Sequence, residues 1–288
     1  MNLCDYNTIR ELLGRHGFHF SKSMGQNFLI DPEVPYNIAA ASQADETCGV
    51  LEIGPGIGPL TKELAQRAGK VVSVELDKSL LPVLAETMAS YSNVEIVPGD
   101  AMKLDLGALA AEKFQGLRPI VCANLPYNIT TPVLTKLIET PCFETITVLI
   151  QKEVAQRLSA AQGSSDGGSF SLFLQYYMET EYLFEVPADR FLPPPKVTSA
   201  VLRCVRREKP AVDVEDEKFF FKVMRGAFLL RRKKMVNSLA AALPGFSKET
   251  ILEAVEECGL PATVRGEQLT LQDFANLSAS LAAKRTNL

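Results

Sequence analysis

The tetrapeptide Asn124-Leu125-Pro126-Tyr127 combines residue types that can bind an amine on a flat ring. Asparagine offers an oxygen acceptor, proline fixes the backbone dihedral φ, and tyrosine offers an aromatic face. The tetrapeptide follows an apolar run at 119–123, which is typical of a buried strand. Ligands of open α/β sheets bind where strands leave the sheet, so the motif predicts an adenine-like ligand. A turn with a buried tyrosine is the alternative interpretation of these four residues alone.

A glycine-rich loop follows an earlier apolar run and predicts a close approach of the backbone to a ligand. Gly54, Gly56 and Gly58 have the spacing G-x-G-x-G, so the third glycine comes one position early for a dinucleotide fingerprint. Pro55 and Pro59 lack the N–H groups that a phosphate-binding turn offers. These features disfavour a nicotinamide-dependent oxidoreductase and favour a nucleoside ligand without pyrophosphate, such as S-adenosylmethionine.

Acidic residues follow the next two apolar runs. Glu75 ends the run at 71–75, 21 residues after Gly54, a spacing at which a carboxylate can accept hydrogen bonds from both ribose hydroxyls. Asp100 follows the run at 94–97, where a carboxylate could bind the amino group of adenine. Taken singly, either acid could be a helix cap or a surface residue. Three ligand-type positions after three successive predicted strands together predict a cofactor site.

The order of the predicted elements indicates an α/β fold with a parallel sheet between two layers of helices. Strand-like and helix-like segments alternate from about residue 49 to 206. A proline-rich loop at 191–195 separates runs at 179–186 and 200–206, which could close the sheet with an antiparallel edge. Beyond Pro210 the periodicity becomes helical, so we predict a catalytic domain over 1–208 and a small all-α domain over 209–288.

Composition is typical of a globular protein without a membrane span. Of 288 residues, 47% are hydrophobic and 22% charged, and no apolar stretch approaches the ~18 residues of a spanning helix. The six cysteines form no C-x-x-C pair, and the only histidines are His16 and His19. Disulfides, a zinc site and histidine-based catalysis are therefore unexpected. The N-terminus shows no secretory apolar segment, and we expect a monomeric cytoplasmic enzyme without a metal.

Charge is distributed unevenly along the chain. The net charge is −4, but residues 1–200 carry 15 basic and 23 acidic residues, whereas residues 201–288 carry 15 basic and 11 acidic ones. A solvated helix face explains many basic runs. A basic appendage on an acidic body instead indicates a docking surface for nucleic-acid phosphates.

In combination, these motifs resemble the ribosomal RNA adenine N6-dimethyltransferases. The resemblance is carried, in order, by the segments at 25–31 (GQNFLID), 51–61 (LEIGPGIGPLT), 75–77 (ELD), 99–101 (GDA), 124–129 (NLPYNI) and 191–199 (FLPPPKVTS). It is closest to the bacterial members that act on two adjacent adenosines near the 3′ end of small-subunit (16S) rRNA. The resemblance implies a Rossmann-like class I S-adenosylmethionine-dependent methyltransferase sheet and, as partner, rRNA in an assembling ribosomal subunit.

The resemblance also implies roles for individual residues. The cofactor would be bound by Asn27, Leu29, Gly54, Gly56, Glu75, Asp100 and Asn124. The catalytic group would comprise Asn124, Leu125, Pro126, Tyr127 and Phe191. We expect the Asn124 oxygen and a backbone carbonyl of Leu125 or Pro126 to accept from the target amine. Tyr127 and Phe191 would stack on the two faces of the base, which must first leave its own stack.

Basic residues of the second half are candidates for phosphate contacts, namely Arg203, Arg206, Arg207, Arg231, Arg232, Lys233 and Lys234. Around the basic run the chain departs from the usual family wording, with Leu229-Leu230 before it, so the detailed RNA contacts stay open. Two alternatives remain. A large-subunit rRNA methyltransferase of the macrolide-resistance type is disfavoured by the longer C-terminal part and the three prolines after Phe191. A non-catalytic nucleic-acid-binding relative is disfavoured by the intact tetrapeptide.

Overall fold

The computed structural model describes residues 1–18, 26–230 and 232–285. Its strands, numbered along the chain, are β1 (Phe28–Leu29), β2 (Cys48–Ile53), β3 (Lys70–Glu75), β4 (Val94–Pro98), β5 (Arg118–Asn124), β6 (Thr145–Gln151), β7 (Met178–Val186), β8 (Phe191–Leu192) and β9 (Ser199–Arg206).

The helices of the described residues are α1 (Tyr6–Arg15), α2 (Glu33–Ala41), α3 (Pro59–Ala65), α4 (Leu81–Thr87), α5 (Leu106–Lys113), α6 (Thr130–Glu139), α7 (Lys152–Leu158), α8 (Ser169–Tyr177), α9 (Glu217–Ala227), α10 (Met235–Ala242), α11 (Lys248–Glu257) and α12 (Leu271–Arg285). None of these helices is long and apolar enough to cross a lipid bilayer. The part of the chain beyond Pro210, where the periodicity predicts helices, contains α9 to α12.

Seven strands form one mixed sheet in the order β4-β3-β2-β5-β6-β9-β7. The strands from β2 to β6 pair in parallel, whereas β9 runs antiparallel to β6, with Ile150 opposite Ala200. All six residues of β2 are buried, as expected for a strand covered by helices on both faces. The predicted Rossmann-like sheet is confirmed, and so is its antiparallel closure at β9.

The strand order reverses between β2 and β5. β3 and β4 extend the sheet on one side of β2, while β5 and β6 extend it on the other. Ligands of open α/β sheets bind outside the carboxyl ends of the strands at such a switch point. The residues that follow these strands therefore meet at one edge of the sheet.

The first compact unit contains the described residues of Met1–Ala155 together with Thr180–Arg206. Its core joins the buried residues of the sheet to α2 and α3, for example Val50 and Ile120 with Ile38 and Leu64. A further cluster packs α1 against α4, next to the loop after β2. The sheet is thus covered by helices, which keeps the carboxyl ends of its strands in fixed positions.

The second compact unit is helical and contains Gln156–Glu179 together with the described residues from Arg207 on. Its core unites Leu172 and Tyr176 of α8 with Phe220, Leu239 and Phe274 of the later helices. α8 therefore packs against helices that follow it in the chain only after β7, β8 and β9. Periodicity along the chain predicts a domain boundary near residue 208. It contains no signal that an earlier segment, Gln156–Glu179, belongs to the second unit.

Candidate active site

A cavity of about 210 Å³ lies at the carboxyl ends of β2, β3, β4 and β5. With the exception of Phe191, the residues predicted from the sequence to bind the cofactor or the target base line its wall together, namely Asn27, Leu29, Gly54, Gly56, Glu75, Asp100, Asn124, Leu125, Pro126 and Tyr127. The sheet topology brings these residues together from four strand ends and one N-terminal segment. Their individual roles toward a ligand stay predictions.

The glycine-rich loop after β2 brings backbone atoms to the cavity wall. Gly54 and Gly56 both have positive φ, at 71° and 63°, which costs a residue with a Cβ atom more than it costs glycine. A Cβ atom on Gly56 would also lie 3.2 Å from the ring of Phe28. The Gly56 N–H donates to Oε2 of Glu75 at 3.3 Å, so the loop is tied to the end of β3.

Backbone donors orient the carboxylate of Glu75. Besides the Gly56 contact at Oε2, its Oε1 accepts from the N–H of Asp77 at 2.8 Å. Glu75 is only 6% exposed, and this burial raises the pKa of its carboxyl above the usual value. A carboxylate held in this way at a cavity wall is suited to accept hydrogen bonds from ribose hydroxyls.

β1 and the residue before it complete part of the wall. β1 pairs with β8 in a small antiparallel sheet. Gln26 Nε2 donates to Oδ2 of Asp77 at 2.7 Å, which ties this segment to the turn after β3. Asn27 and Leu29 thereby line the same cavity as Glu75. Gly25, the first residue of the predicted motif, lies outside the described residues.

A lysine of α6 braces the loop that carries Asp100. Oδ1 of Asp100 accepts from the N–H of Met102 at 2.9 Å. Lys136 Nζ donates to the carbonyl oxygens of Met102 and Leu104, at 2.8 Å and 2.5 Å. Sequence reasoning missed Lys136, because nothing in the sequence links a helical lysine to two carbonyls more than 30 residues earlier. The contact joins the Asp100 loop to the helix that follows the tetrapeptide.

β5 delivers the tetrapeptide to the cavity. Asn124 is the last residue of β5, and the Leu125 N–H donates to the carbonyl of Leu149 at 3.1 Å. This bond continues the pairing with β6 past the end of the strand. The backbone that carries the Asn124 side chain is therefore held in place by its hydrogen bonding with β6.

The carbonyl of Pro126 is already engaged within the loop. It accepts from the Ile129 N–H at 3.2 Å and from Oγ1 of Thr130 at 3.2 Å. A carbonyl oxygen has two lone pairs, and these two donors match them. Of the two backbone carbonyls predicted to face an amine, that of Leu125 is the better candidate.

The ring of Tyr127 is fixed by a serine of β9, the strand that pairs with β6. The Tyr127 and Ser199 hydroxyls lie 2.5 Å apart, and Ser199 is fully buried at the start of β9. Burial raises the pKa of the Tyr127 phenol, so it stays neutral. Ser199 belongs to the motif at 191–199, but sequence reasoning gave it no role.

Phe191 does not line the cavity. It is 2% exposed and belongs to the core cluster that includes Leu29, Val186 and Val201. A ring within the core is not available to stack on a base in the cavity, so this arrangement does not provide the second stacking face predicted for Phe191. Its backbone pairs with that of Leu29 instead, which positions β1.

Glu52 is a cavity residue that sequence reasoning missed. It lies in β2, is 1% exposed and lines the cavity. The hydroxyls of Thr61 and Ser73 both donate to its Oε2 at 2.6 Å. Burial raises the pKa of Glu52 to about 7, so its charge changes near neutral pH. An acid inside an apolar run is itself a signal, because a buried carboxyl requires polar partners.

Three arginines predicted to contact RNA have protein partners. Arg206 donates to carbonyl oxygens at and just beyond the C-terminal end of α6. Arg203 pairs with Glu181 at 2.5 Å and Arg207 with Glu179 at 2.9 Å, both acids of β7. These arginines neutralise strand carboxylates and a helix end. The geometry therefore assigns them a structural role instead of a phosphate contact.

The remaining predicted RNA contacts lie in the loop between α9 and α10. Arg232, Lys233 and Lys234 are exposed there, while Arg231 lies outside the described residues.

Among the residues with described positions, no cluster of three or more His, Cys, Asp or Glu side chains could hold a metal ion.

Comparison with known proteins adds a family to this geometry. The model of the family described as ribosomal RNA adenine dimethylase matches residues 17–282. A relative in Shouchella clausii, named ribosomal RNA small subunit methyltransferase A, is 48% identical over 273 residues, which cover 94% of this chain and 92% of the relative.

Two solved structures share the fold of this chain. A dimethyladenosine transferase from Plasmodium falciparum is 25% identical, with a TM-score of 0.74 over 89% of this chain and 98% of that one. The 23S rRNA methyltransferase ErmE is 26% identical, with a TM-score of 0.68 over 89% of this chain and all of that one.

Proposed function

The chain belongs to the ribosomal RNA adenine dimethylase family, and we propose on this basis that it converts two adjacent adenosines near the 3′ end of small-subunit (16S) rRNA to N6,N6-dimethyladenosine. The reaction is a step in the biogenesis of the small ribosomal subunit. The observation that carries the proposal is the position of Asn124-Leu125-Pro126-Tyr127 in the wall of the cavity that Glu75 and Asp100 also line. An amine-binding motif and a nucleoside-binding pair of acids thus serve one site.

We propose S-adenosylmethionine as the cofactor. The residues present fit this ligand, since Glu75 offers a buried carboxylate for the ribose, Asp100 an acceptor near an adenine amine, and the glycine loop a close backbone approach. When bound, this cofactor supplies a methyl group already activated on a sulfonium. The protein then needs to align a nucleophile more than it needs an acid or a base.

The target amine requires help because the lone pair of an adenine amino nitrogen is delocalised into the ring. The Asn124 side-chain oxygen and the Leu125 carbonyl would accept from its two N–H groups. Two acceptors favour a pyramidal nitrogen and direct its lone pair toward the methyl donor. Because β5 and the bond to Leu149 hold the backbone here, these acceptors require little reorganisation during the reaction.

Tyr127 would stack on the unstacked adenine, replacing base stacking at roughly 1–3 kcal/mol per contact. No base is needed before attack, since the nitrogen becomes acidic once it is alkylated, and its proton then passes to water, directly or by way of a hydrogen bond to Asn124. After the first transfer the amine retains only one N–H. The second methylation therefore proceeds with one acceptor unused, after the methylated amine has turned or the cofactor has been exchanged.

Replacing Ser199 with alanine is expected to lower methyl transfer several-fold, because Tyr127 loses the partner that fixes its ring. The loss should appear in the KM for the ribosomal subunit, with cofactor affinity unchanged. Tyr127→Phe removes the same hydrogen bond from the other side, so the double variant should lose no more than either single variant. Additive losses in this double-mutant cycle would show that the two residues act separately.

The large-subunit alternative is less well supported. The relative named as a small-subunit enzyme is 48% identical, whereas ErmE, named as a 23S rRNA methyltransferase, is 26% identical. The intact amine-binding motif in the cavity wall disfavours a non-catalytic relative.

We further propose that the enzyme is a monomer and that it acts in the cytoplasm, where ribosomal subunits assemble. We also propose that Arg232, Lys233 and Lys234 contact rRNA phosphates.

The decisive test is transfer of tritiated methyl groups to isolated ribosomal subunits from a strain that lacks the modification. We expect label in the small subunit alone, mapped to N6 of two adjacent adenosines near the 3′ end of its rRNA. Label in the large subunit would establish the alternative. Absence of transfer to either subunit, with S-adenosylmethionine bound, would exclude the catalytic function.

A further inference from the structure

The carboxylate of Asp100 is held by a turn that follows β4. The N–H groups of Lys103 and Leu104 donate to the Asp100 carbonyl at 2.8 Å and 3.1 Å. The N–H of Met102 donates to Oδ1 of the Asp100 side chain at 2.9 Å. The direction in which the carboxylate points into the cavity therefore depends on where this turn lies.

Lys136 of α6 holds the same turn from outside. Its Nζ donates to the carbonyl oxygens of Met102 and Leu104 at 2.8 Å and 2.5 Å. Lys136 is half-buried, and hydrogen bonds from an ammonium group are stronger than those between neutral groups. Met102 and Leu104 are also two of the residues whose N–H groups bind Asp100. A shift of their carbonyls would therefore move the donors that orient the carboxylate.

The helix that carries Lys136 is itself firmly packed. Val133, Leu134 and Leu137 of α6 are buried in the first unit. α6 begins at Thr130, three residues after Tyr127, so the helix directly follows the tetrapeptide loop. Lys136 thus joins the Asp100 turn to an element whose position the core determines.

We infer that Lys136 is a positioning residue that sets the preference of the cofactor site for adenine, an inference that rests on the proposed function. There, Asp100 accepts a hydrogen bond from the 6-amino group of the cofactor's adenine. A base with a carbonyl at the same position would place two acceptors face to face, and a site built to bind an amine rejects such a base. This rejection requires that the carboxylate stays where the turn holds it. Lys136 does not line the cavity, so it acts through Asp100.

Lys103 provides a matched cation for comparison. Its Nζ lies 3.8 Å from Oδ2 of Asp100, and its side chain is 86% exposed. An ion pair this exposed contributes little. Replacing Lys103 with methionine removes a positive charge beside Asp100 but leaves both carbonyl contacts of Lys136 in place. The comparison separates the effect of local charge from the effect of the bonds to the turn.

The test measures the affinity of the full chain for two ligands. S-adenosylhomocysteine, the product of methyl transfer, carries adenine, whereas S-inosylhomocysteine carries a carbonyl oxygen in place of the 6-amino group. The unmodified chain should prefer the adenine ligand by about tenfold to a hundredfold. Lys136→Met keeps the apolar stem without the ammonium, and it should lower this preference by about fivefold or more. Partial unfolding would reduce the binding of both ligands alike, so it would not change their ratio.

A double-mutant cycle tests the route through Asp100. Asp100→Ala removes the acceptor and should abolish most of the preference for adenine. In the Asp100→Ala background, Lys136→Met should change the preference no further, because the lysine then has no carboxylate to position. Lys103→Met should retain the preference of the unmodified chain.

An unchanged preference in Lys136→Met, or an equal loss in Lys103→Met, would overturn the inference. A further loss from Lys136→Met when residue 100 is already alanine would overturn it too. If Asp100→Ala itself leaves the preference unchanged, the inference falls together with the adenine-binding role of Asp100. Methyl transfer by the unmodified chain to isolated ribosomal subunits is measured in parallel, so failure of the proposed function is seen separately.

Discussion

Replacing Asn124 with alanine is expected to lower the rate of methyl transfer to the small subunit by about 100-fold or more, the usual effect of removing one positioned hydrogen-bonding group from an active site. The side-chain oxygen is one of two acceptors that orient the target amine, and alanine leaves the amine nitrogen planar and misaligned. Affinity for S-adenosylmethionine should fall far less, because Glu75 and Asp100 remain in place. Single-turnover transfer and calorimetric cofactor binding measure the two effects separately.

Asn124→Asp is the matched control for this prediction. Aspartate keeps an oxygen acceptor at the same position, so it should retain more transfer than alanine does. Both variants should unfold at a similar temperature to the unmodified chain, since Asn124 is only partly buried at the end of β5. Full activity in Asn124→Ala would contradict the amine-binding mechanism.

Replacing Glu75 with glutamine should weaken S-adenosylmethionine binding by about tenfold to a hundredfold, in line with roughly 1.5–3 kcal/mol for hydrogen bonds to a charged group. Glutamine replaces one carboxylate oxygen with a donor, which cannot accept from a ribose hydroxyl. The change also disturbs the bonds from Gly56 and Asp77 that hold the loop. Glu112→Gln, on the exposed face of α5, is the control and should bind the cofactor normally.

The pH dependence of cofactor binding provides an independent check on Glu75. Burial raises the pKa of its carboxyl, and only the ionised form accepts from both ribose hydroxyls. Affinity should therefore fall as pH is lowered, beginning at a higher pH than for an exposed glutamate. Glu75→Gln should be less sensitive to pH, and the sensitivity that remains reports Glu52, whose pKa is raised to about 7. Equal pH profiles for the two chains would remove Glu75 from the ribose site.

The cofactor side of the site could be predicted because its residues follow buried strands directly. Once Glu75 and Asp100 are placed after parallel strands, topology alone brings them to one edge of the sheet. Lys136 and Ser199 could not be found in this way. Each acts through a bond to a residue from another part of the chain, and neither lies at the carboxyl end of a parallel strand.

Among the basic residues, the sequence predicted phosphate contacts that the structure does not support. Charge counting grouped Arg203, Arg206 and Arg207 with the run after Leu230, because all are basic and near in sequence. Their environments differ in the fold, since β7 and the end of α6 supply acceptors to the first group. A net positive charge in a segment therefore predicts phosphate binding only where no strand carboxylate or helix end already pairs with the cations.

By itself, the sequence determined the alternation of strands and helices between about residues 49 and 206, the chemistry of the tetrapeptide and the residues that follow the parallel strands of the site. These properties are local, because a residue directly after a buried strand has little choice of position. Only the tertiary structure decided that Phe191 lies in the core, that the Pro126 carbonyl is engaged and that α8 joins the second unit. These three features depend on which distant segments come into contact, because tertiary contacts determine the hydrogen-bond partners and packing neighbours of a residue.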